Sequence, residues 1–310
     1  MKISVIGLGR VGATLAYTLV QRGLGDELVL YNRRHETAVG DACDLEHAAS
    51  FTPWFTRIRA GDLPATADSD LLVFCASAGL PEGATDRRLL GPANVGVLEG
   101  LLPGLARLSP RACLLMLSNP VDVLVWHALR LTGFPPERVM GTGTLVDSAR
   151  FRTMVSAALD IHADDVRAYI LGEHGAAQFP ALAMVQAGGE YLGDREVTRE
   201  AYRQVQEAGA RVLRSKGYTN FAVAMAAALI VEAIVHDSRR TIPVSILLDD
   251  YFGVSDVCLS VPAVIGAHGV RRVLRPQLSD DEITRLQEAA ALVRAETLRA
   301  GADSSDGEMP

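Results

Sequence analysis

Three hundred and ten residues, at about 150 per domain, predict two domains and enough chain to bury a sizeable core. Thirty basic residues against 37 acidic ones leave a net charge of −7, which argues against a nucleic-acid binder, since that class carries a basic stripe or patch. With 49% hydrophobic and 22% charged residues, the chain reads as globular rather than disordered.

In chain order, Ile3-Ser4-Val5-Ile6 predicts a strand, Val11 to Gly23 a helix, and Glu27 to Tyr31 a second strand. Leu71 to Ala76 and Ala112 to Leu117 are continuous apolar runs of strand length, as expected for strands covered on both faces. Helical patterns lie between and after them at Thr37 to Ala49, Val95 to Leu108 and Val121 to Leu131. Such alternation implies βαβ units and a parallel sheet. A last strand of this kind, Arg138 to Met140, is followed by a boundary near Gly141-Thr142-Gly143. Beyond it the pattern changes to helix Val146 to Leu159, strand Val166 to Leu171, and long helices Thr198 to Ser215 and Asn220 to His236. Short strands at Ser245 to Leu248 and Val257 to Val261 precede a final helix, Asp280 to Arg299. The expected fold class is α/β, a doubly wound parallel sheet over residues 1–143 followed by an α+β domain over 144–301. The small acidic tail 302–310 is expected to be mobile. There is no internal repeat or low-complexity linker, so the two halves are expected to pack closely.

Cys43, Cys75, Cys113 and Cys258 are scattered with no paired spacing. Neither a metal cluster nor a disulfide framework is expected, and a reducing cytoplasm fits. No stretch reaches the roughly 18 unbroken apolar residues of a membrane span. The best candidate, Ala222 to Val235, is interrupted by Glu232 and reads as a buried helix. Lys2 and the apolar residues behind it imitate a signal peptide, but Gly7, Gly9 and Arg10 break the run too early, and the protein is expected to stay where it is made.

Gly7-Leu8-Gly9-Arg10-Val11-Gly12 matches G-x-G-x-x-G between a predicted strand and a predicted helix. In that context the first glycine permits a tight turn, the second admits a pyrophosphate to the backbone, and the third lets helix and sheet pack closely. The diphosphate of a dinucleotide would sit at the helix N-terminus, so the first half reads as a Rossmann domain. Twenty residues after Gly12, where an acid would bind the adenosine ribose and repel a 2′-phosphate, stands Asn32, followed by Arg33 and Arg34. Losing an anion and gaining two cations suits a phosphate. A preference for NADPH, or at least use of both nicotinamide cofactors, is expected; ordinary solvated arginines are the alternative.

Three further motifs follow: Ser118-Asn119-Pro120-Val121-Asp122; the run from Gly141-Thr142-Gly143 through Asp147-Ser148-Ala149-Arg150 to Arg152; and Leu171-Gly172-Glu173-His174-Gly175. In this order and at this spacing the chain closely resembles the L-lactate/malate dehydrogenase family, from the glycine loop to Pro262-Ala263-Val264-Ile265-Gly266. The resemblance implies an oxidoreductase that moves a hydride between a nicotinamide cofactor and an L-2-hydroxy or 2-oxo acid. It gives His174 as proton donor and acceptor, Asp147 as the carboxylate orienting it, Arg150 as the clamp on the substrate carboxylate, and Asn119 as a substrate contact. It also places Val11, Ala78, Gly79, Asn94 and Ser118 at the cofactor, beside Gly7, Gly9, Arg10 and Gly12. The chemistry agrees: such a reduction needs a proton donor at the carbonyl oxygen and cations for the developing charge and for the carboxylate. Asp147 and Arg150, three apart at the start of a predicted helix, share a face.

The stretch Ala78 to Arg88 departs from the family. Counting back seven from Asn94 places Arg87 on the family arginine that polarises the carbonyl, with the adjacent Arg88 as the alternative. Counting back six more reaches Pro81, where lactate enzymes carry Gln and malate enzymes Arg; Leu80 or Glu82 are alternatives, because the segment is one residue short. None is a cation, and Glu82 would repel a second substrate carboxylate. Thr219 matches the lactate-type wall more than the malate type. A monocarboxylic 2-oxo acid is therefore expected, with room for a side chain larger than methyl; malate is the runner-up. A non-catalytic dinucleotide sensor is the reading from another class, since fold alone does not establish function, but it would not need His174, Asp147, Arg150 and an arginine at 87. Arg152 matches a residue that helps bind a sugar bisphosphate in some bacterial lactate dehydrogenases. Its companion position carries Arg167 rather than His, and a plain surface arginine is the favoured alternative. The resemblance further implies a homodimer or homotetramer, with Asp41 to His47 on a helix that lies at a subunit contact in the family.

Overall fold

The computed structural model describes residues 1–79 and 90–305 of the chain. The first half runs β1 (Lys2–Ile6), α1 (Arg10–Arg22), β2 (Glu27–Tyr31), α2 (His35–Ala49), β3 (Arg57–Ala60), β4 (Leu71–Phe74), α3 (Leu90–Leu108), β5 (Cys113–Met116), α4 (Val121–Thr132) and β6 (Val139–Gly141). These strands lie side by side in the order β3-β2-β1-β4-β5-β6, all parallel. The continuous apolar runs of β1, β4 and β5 have helices on both faces, and Ile3, Val5, Ile6, Leu71 to Phe74 and Leu114 to Met116 are all buried. The order reverses between β1 and β4, which opens a crevice beyond their carboxyl ends, the place where doubly wound sheets bind ligands. The fold is the α/β, Rossmann-type one expected.

The second half contributes α5 (Leu145–Leu159), β7 (Val166–Arg167), β8 (Ile170–Gly172), β9 (Gln178–Pro180), β10 (Gln186–Ala187), β11 (Glu190–Tyr191), α6 (Glu196–Lys216), α7 (Phe221–Val235), β12 (Arg240–Leu248), β13 (Val257–Gly266), β14 (Gly269–Val273) and α8 (Asp280–Ser305). Strand β12 attaches antiparallel to β6 through one pair, Ser245 with Gly141. β13, β8 and β9 follow, so both halves share one continuous sheet. A second, three-stranded sheet, β11-β10-β7, and a smaller core around Phe151, Val155 and Val205 lie against α5 and α6. No helix among the described residues is long and apolar enough to cross a membrane.

Several expected boundaries move for physical reasons. The single strand expected over Val166 to Leu171 is two strands in two sheets. At the break Ile170 turns to α5, its N–H donating to Ser148 Oγ at 2.9 Å and its carbonyl accepting from Thr144 Oγ1 at 2.6 Å. Strands β12 and β13 extend past Pro243 and Pro262, which face each other in the register; an antiparallel pair of this kind needs no N–H from either. β3, with only Ile58 buried, is a charged edge strand and carries little hydrophobic signal. Helix α8 continues past Arg299 into the expected tail, and residues 306–310 lie outside the described residues.

Candidate active site

The chain leaves β1 at Ile6 and turns at Gly7, whose φ of +96° suits glycine and whose N–H donates to Tyr31 O at 2.8 Å. A Cβ on Gly12 would lie 2.0 Å from Gly7 O, so that position is closed to any side chain. Gly9 differs: a Cβ there would meet no protein atom within 4 Å. Gly9 is also the N-cap of α1, with no side-chain cap and no acid in the first turn. The helix thus presents unpartnered N–H groups and the positive end of its dipole to open space, an arrangement that fits a diphosphate.

Around this cradle the expected cofactor residues separate into two groups. Arg10, Arg33 and Arg34 are exposed. The Arg10 guanidinium stacks 3.9 Å above the Tyr218 ring, and Arg34 is the N-cap of α2. Asn32 Oδ1 accepts from Leu8 N–H at 3.3 Å and its Nδ2 donates to Arg34 O at 3.2 Å, so it braces the glycine loop against the start of α2. Asn94 and Ser118 are buried and engaged with protein. Asn94 Oδ1 accepts from Ala78 N–H at 2.6 Å and its Nδ2 donates to Asn119 O at 2.6 Å, while Ser118 Oγ donates to Ala76 O at 2.6 Å. These two side chains hold the segments after β4 and β5 rather than present free groups. Val11 and Ala78 are half-buried and Gly79, the last residue described before the gap, is exposed. Thr219 lies half-buried between Tyr218 and Asn220, whose Nδ2 donates to Thr14 Oγ1 of α1 at 2.8 Å.

The second half delivers its polar residues to one point. Asp147 and Arg150 lie one turn apart on α5, and His174 stands in the turn between β8 and β9. His174 Nδ1 is 2.7 Å from Asp147 Oδ2, and Arg150 donates to the other oxygen, Asp147 Oδ1, at 2.9 Å. The Asp147 side chain is only 3% exposed, whereas those of His174 and Arg150 are 26% and 21% exposed. The carboxylate is therefore buried behind two groups that reach solvent. Burial works against charge on both members of the pair, but the charges and hydrogen bonds of His174 and Arg150 hold Asp147 below the usual carboxylate range. Burial likewise opposes an imidazolium at His174, and the Asp147 carboxylate overcomes it, so the histidine's pKa is raised. Gly209 of α6 faces Arg150; a Cβ there would come 3.3 Å from its Nη1.

Sequence reasoning assigns no task to Asp122, yet the structure sets it directly behind His174. It is 2% exposed, its Oδ2 accepts from His174 N–H at 2.8 Å, and its Oδ1 accepts from Ser245 Oγ. Burial pushes its pKa up to about 6, against the hydrogen bonds from Ser245 and His174. Asn119, three residues earlier, is half-buried at the end of β5. Pro81, Glu82, Arg87 and Arg88 lie outside the described residues. Arg152 is not the plain surface arginine favoured from sequence: with Arg167, Arg240 and Asp164 it lines a cavity of about 450 Å³. Burial, together with the charges of Arg167 and Arg240, lowers its pKa.

Comparison with known proteins gives the family. Residues 1–141 match the lactate/malate dehydrogenase NAD binding domain, and residues 144–302 the lactate/malate dehydrogenase alpha/beta C-terminal domain. An L-lactate dehydrogenase of Bifidobacterium animalis subsp. lactis is 33% identical over 304 residues, covering 94% of this chain and 95% of its own. L-lactate dehydrogenase B of Hordeum vulgare is 39% identical over 302 residues, covering 93% and 88%. The solved structure of a lactate dehydrogenase enzyme from a Medee basin deep-sea metagenome library superposes with a TM-score of 0.92 at 31% identity, over 97% of this chain and 98% of that one. The chain belongs to the lactate/malate dehydrogenase family, and is an oxidoreductase of hydroxy acids that works with a nicotinamide cofactor.

Proposed function

We propose that the chain interconverts L-2-hydroxy and 2-oxo monocarboxylic acids, with NADPH preferred as reductant. The observation that carries the reading is the His174–Asp147–Arg150 cluster, in which a partly exposed imidazole and a partly exposed guanidinium share one buried carboxylate. Asp147 on Nδ1 fixes the ring and stabilises its charged form, so Nε2 of His174 gives the proton to the carbonyl oxygen in reduction and takes it back in oxidation. Arg150 holds the substrate carboxylate with its planar fork. The nicotinamide, when bound, supplies or accepts the hydride. Arg87, with Arg88 as alternative, polarises the carbonyl from the segment outside the described residues.

The monocarboxylic preference is supported by the run Leu80-Pro81-Glu82, which offers no cation to a second carboxylate, and by the L-lactate dehydrogenases among the relatives. The NADPH preference is supported by Asn32 in place of an acid and by exposed Arg33 and Arg34 at the N-terminus of α2. The test is a matrix of 2-oxo acids, from pyruvate to phenylpyruvate and oxaloacetate, against NADH and NADPH. Preference for oxaloacetate overturns the substrate class, and a kcat/KM ratio strongly favouring NADH overturns the cofactor assignment.

The enzyme is further proposed to be a cytoplasmic homodimer or homotetramer. Free Cys43, Cys75, Cys113 and Cys258 support the compartment. Large exposed apolar side chains, including Phe51, Phe55 and Phe221, support association, and light scattering of the purified protein checks it. A second reading concerns regulation: the cavity of Arg152, Arg167 and Arg240 suits a polyanion such as a sugar bisphosphate, and unchanged kinetics with that ligand added would remove it.

A further inference from the structure

We propose that Asp122 is a positioning residue for proton transfer at His174: a buried carboxylate that fixes the histidine's backbone with one oxygen and favours the imidazolium through its charge. The proposal rests on the reading of His174 as the proton carrier.

Three elements meet at this side chain. Asp122 sits in the first turn of α4, in the nucleotide-binding half; Ser245 lies on β12, and His174 stands in the β8–β9 turn. The carboxylate accepts from the last two, one with each oxygen. Both hydrogen bonds could be made without a charge. An asparagine would accept from His174 N–H with its oxygen and donate to the Ser245 hydroxyl, which accepts as readily as it donates. A buried carboxylate is the costlier choice wherever geometry alone is needed. Its charge has a use only if a positive charge forms nearby, and the imidazolium of His174 is that charge.

The groups facing this pair support the assignment. Asp147 and Arg150 face His174 from α5, and Tyr202 of α6 lies near Asp147. Glu173 is the neighbour in the same turn, and the Cys258 thiol of β13 faces Asp122, held well above its ordinary pKa by burial and so neutral. Arg150 opposes the imidazolium, whereas Asp147 and Asp122 favour it. Asp147 is committed to two cations, His174 and Arg150. The charge of His174 acts on Asp122 in turn, lowering its pKa against the effect of burial.

The test is an NMR titration of His174 in the unliganded full chain, its resonance identified by loss in His174→Gln, for the wild type, Asp122→Asn and Ser245→Ala. Asp122→Asn keeps both hydrogen bonds and removes the charge; its His174 pKa is expected to fall by about half to one pH unit. The limb of kcat/KM for 2-oxo acid reduction that is lost at high pH moves down with it. Ser245→Ala removes one donor from the carboxylate, which raises the pKa of Asp122 and makes it a weaker anion near neutrality; His174 shifts the same way by less. An unmoved His174 pKa in folded Asp122→Asn, even with stability lost, makes Asp122 a merely structural group and overturns the proposal. If that variant does not fold, the Ser245→Ala titration decides on the same criterion. The titration needs neither substrate nor cofactor. A wild type that reduces no 2-oxo acid defeats the reading of the function and leaves this measurement standing.

Discussion

One oxygen of Asp147 meets His174 Nδ1 at 2.7 Å while the other accepts from Arg150 at 2.9 Å, so a single buried carboxylate sets both the ring and the guanidinium. Replacing Asp147 by Asn keeps the shape and removes the charge. The His174 pKa is expected to fall, and kcat/KM for reduction at pH 7 to drop about 100- to 10,000-fold. Steady-state kinetics across pH measure both, and a variant within a few fold of the wild type would remove Asp147 from the mechanism.

Arg150→Lys retains a cation but not the planar fork. One charge-assisted hydrogen bond to the substrate carboxylate is lost, so kcat/KM should fall about 10- to 150-fold, mainly through KM. Added guanidinium that partly restores the rate to Arg150→Ala would support the same role; a KM unchanged in Arg150→Lys would not.

Gly209 sits inside α6, where alanine would be favoured by about 1 kcal/mol on helix propensity. Its Cβ would nevertheless come 3.3 Å from Arg150 Nη1. Gly209→Ala is expected to hold or raise Tm while displacing the guanidinium by a few tenths of an ångström, at a cost of about three- to tenfold in kcat/KM. Thermal unfolding and kinetics on one preparation test the pair of effects; loss of stability without loss of rate contradicts it.

Asn32→Asp restores an acid beside Arg33 and Arg34. It offers a ribose acceptor and repels a 2′-phosphate, so the ratio of kcat/KM for NADPH over NADH should fall by about tenfold or more. A ratio unaffected by the substitution places the adenosine ribose elsewhere.

Asp122 binds its proton more tightly in the folded chain, near pH 6, than at the ordinary value of 3.8. Between those two values the native state holds more protons than the unfolded one, so this group's contribution makes stability fall as pH rises from about 4 to about 6, by at most about 3 kcal/mol. Urea unfolding of the wild type and Asp122→Asn should therefore show a difference that turns in favour of the variant over that window. A difference that is flat in pH contradicts the shifted titration.

The parts of the site that were legible in sequence are those whose partners are close along the chain or carry a contiguous motif. The glycine loop and the Asp147–Arg150 spacing belong here, as does the glycine-flanked His174. Asp122 was not legible, because its partners lie 52 and 123 residues away and both bonds are with groups, a backbone N–H and a serine, that carry no pattern. The same holds for the cavity of Arg152, where Arg240 arrives from β12. Among the elements, the apolar strands of the nucleotide half were readable because burial on both faces leaves unbroken runs. Charged β3 was not, and of β12 and β13 only the segments Ser245–Leu248 and Val257–Val261 were, since the stretches across Pro243 and Pro262 are placed by their neighbours rather than by their own composition.

Among the described residues, the pair Ser245–Gly141 is the sole rung between the parallel and antiparallel regions of the main sheet. Side chains alternate across a strand, so a slip of one residue there would turn the Ser245 hydroxyl to the opposite face and leave Asp122 without it. Insertions or deletions ahead of β6 or β12 should thus be far less tolerated than their distance from His174 suggests, and length variation in natural sequences should accumulate in other connections.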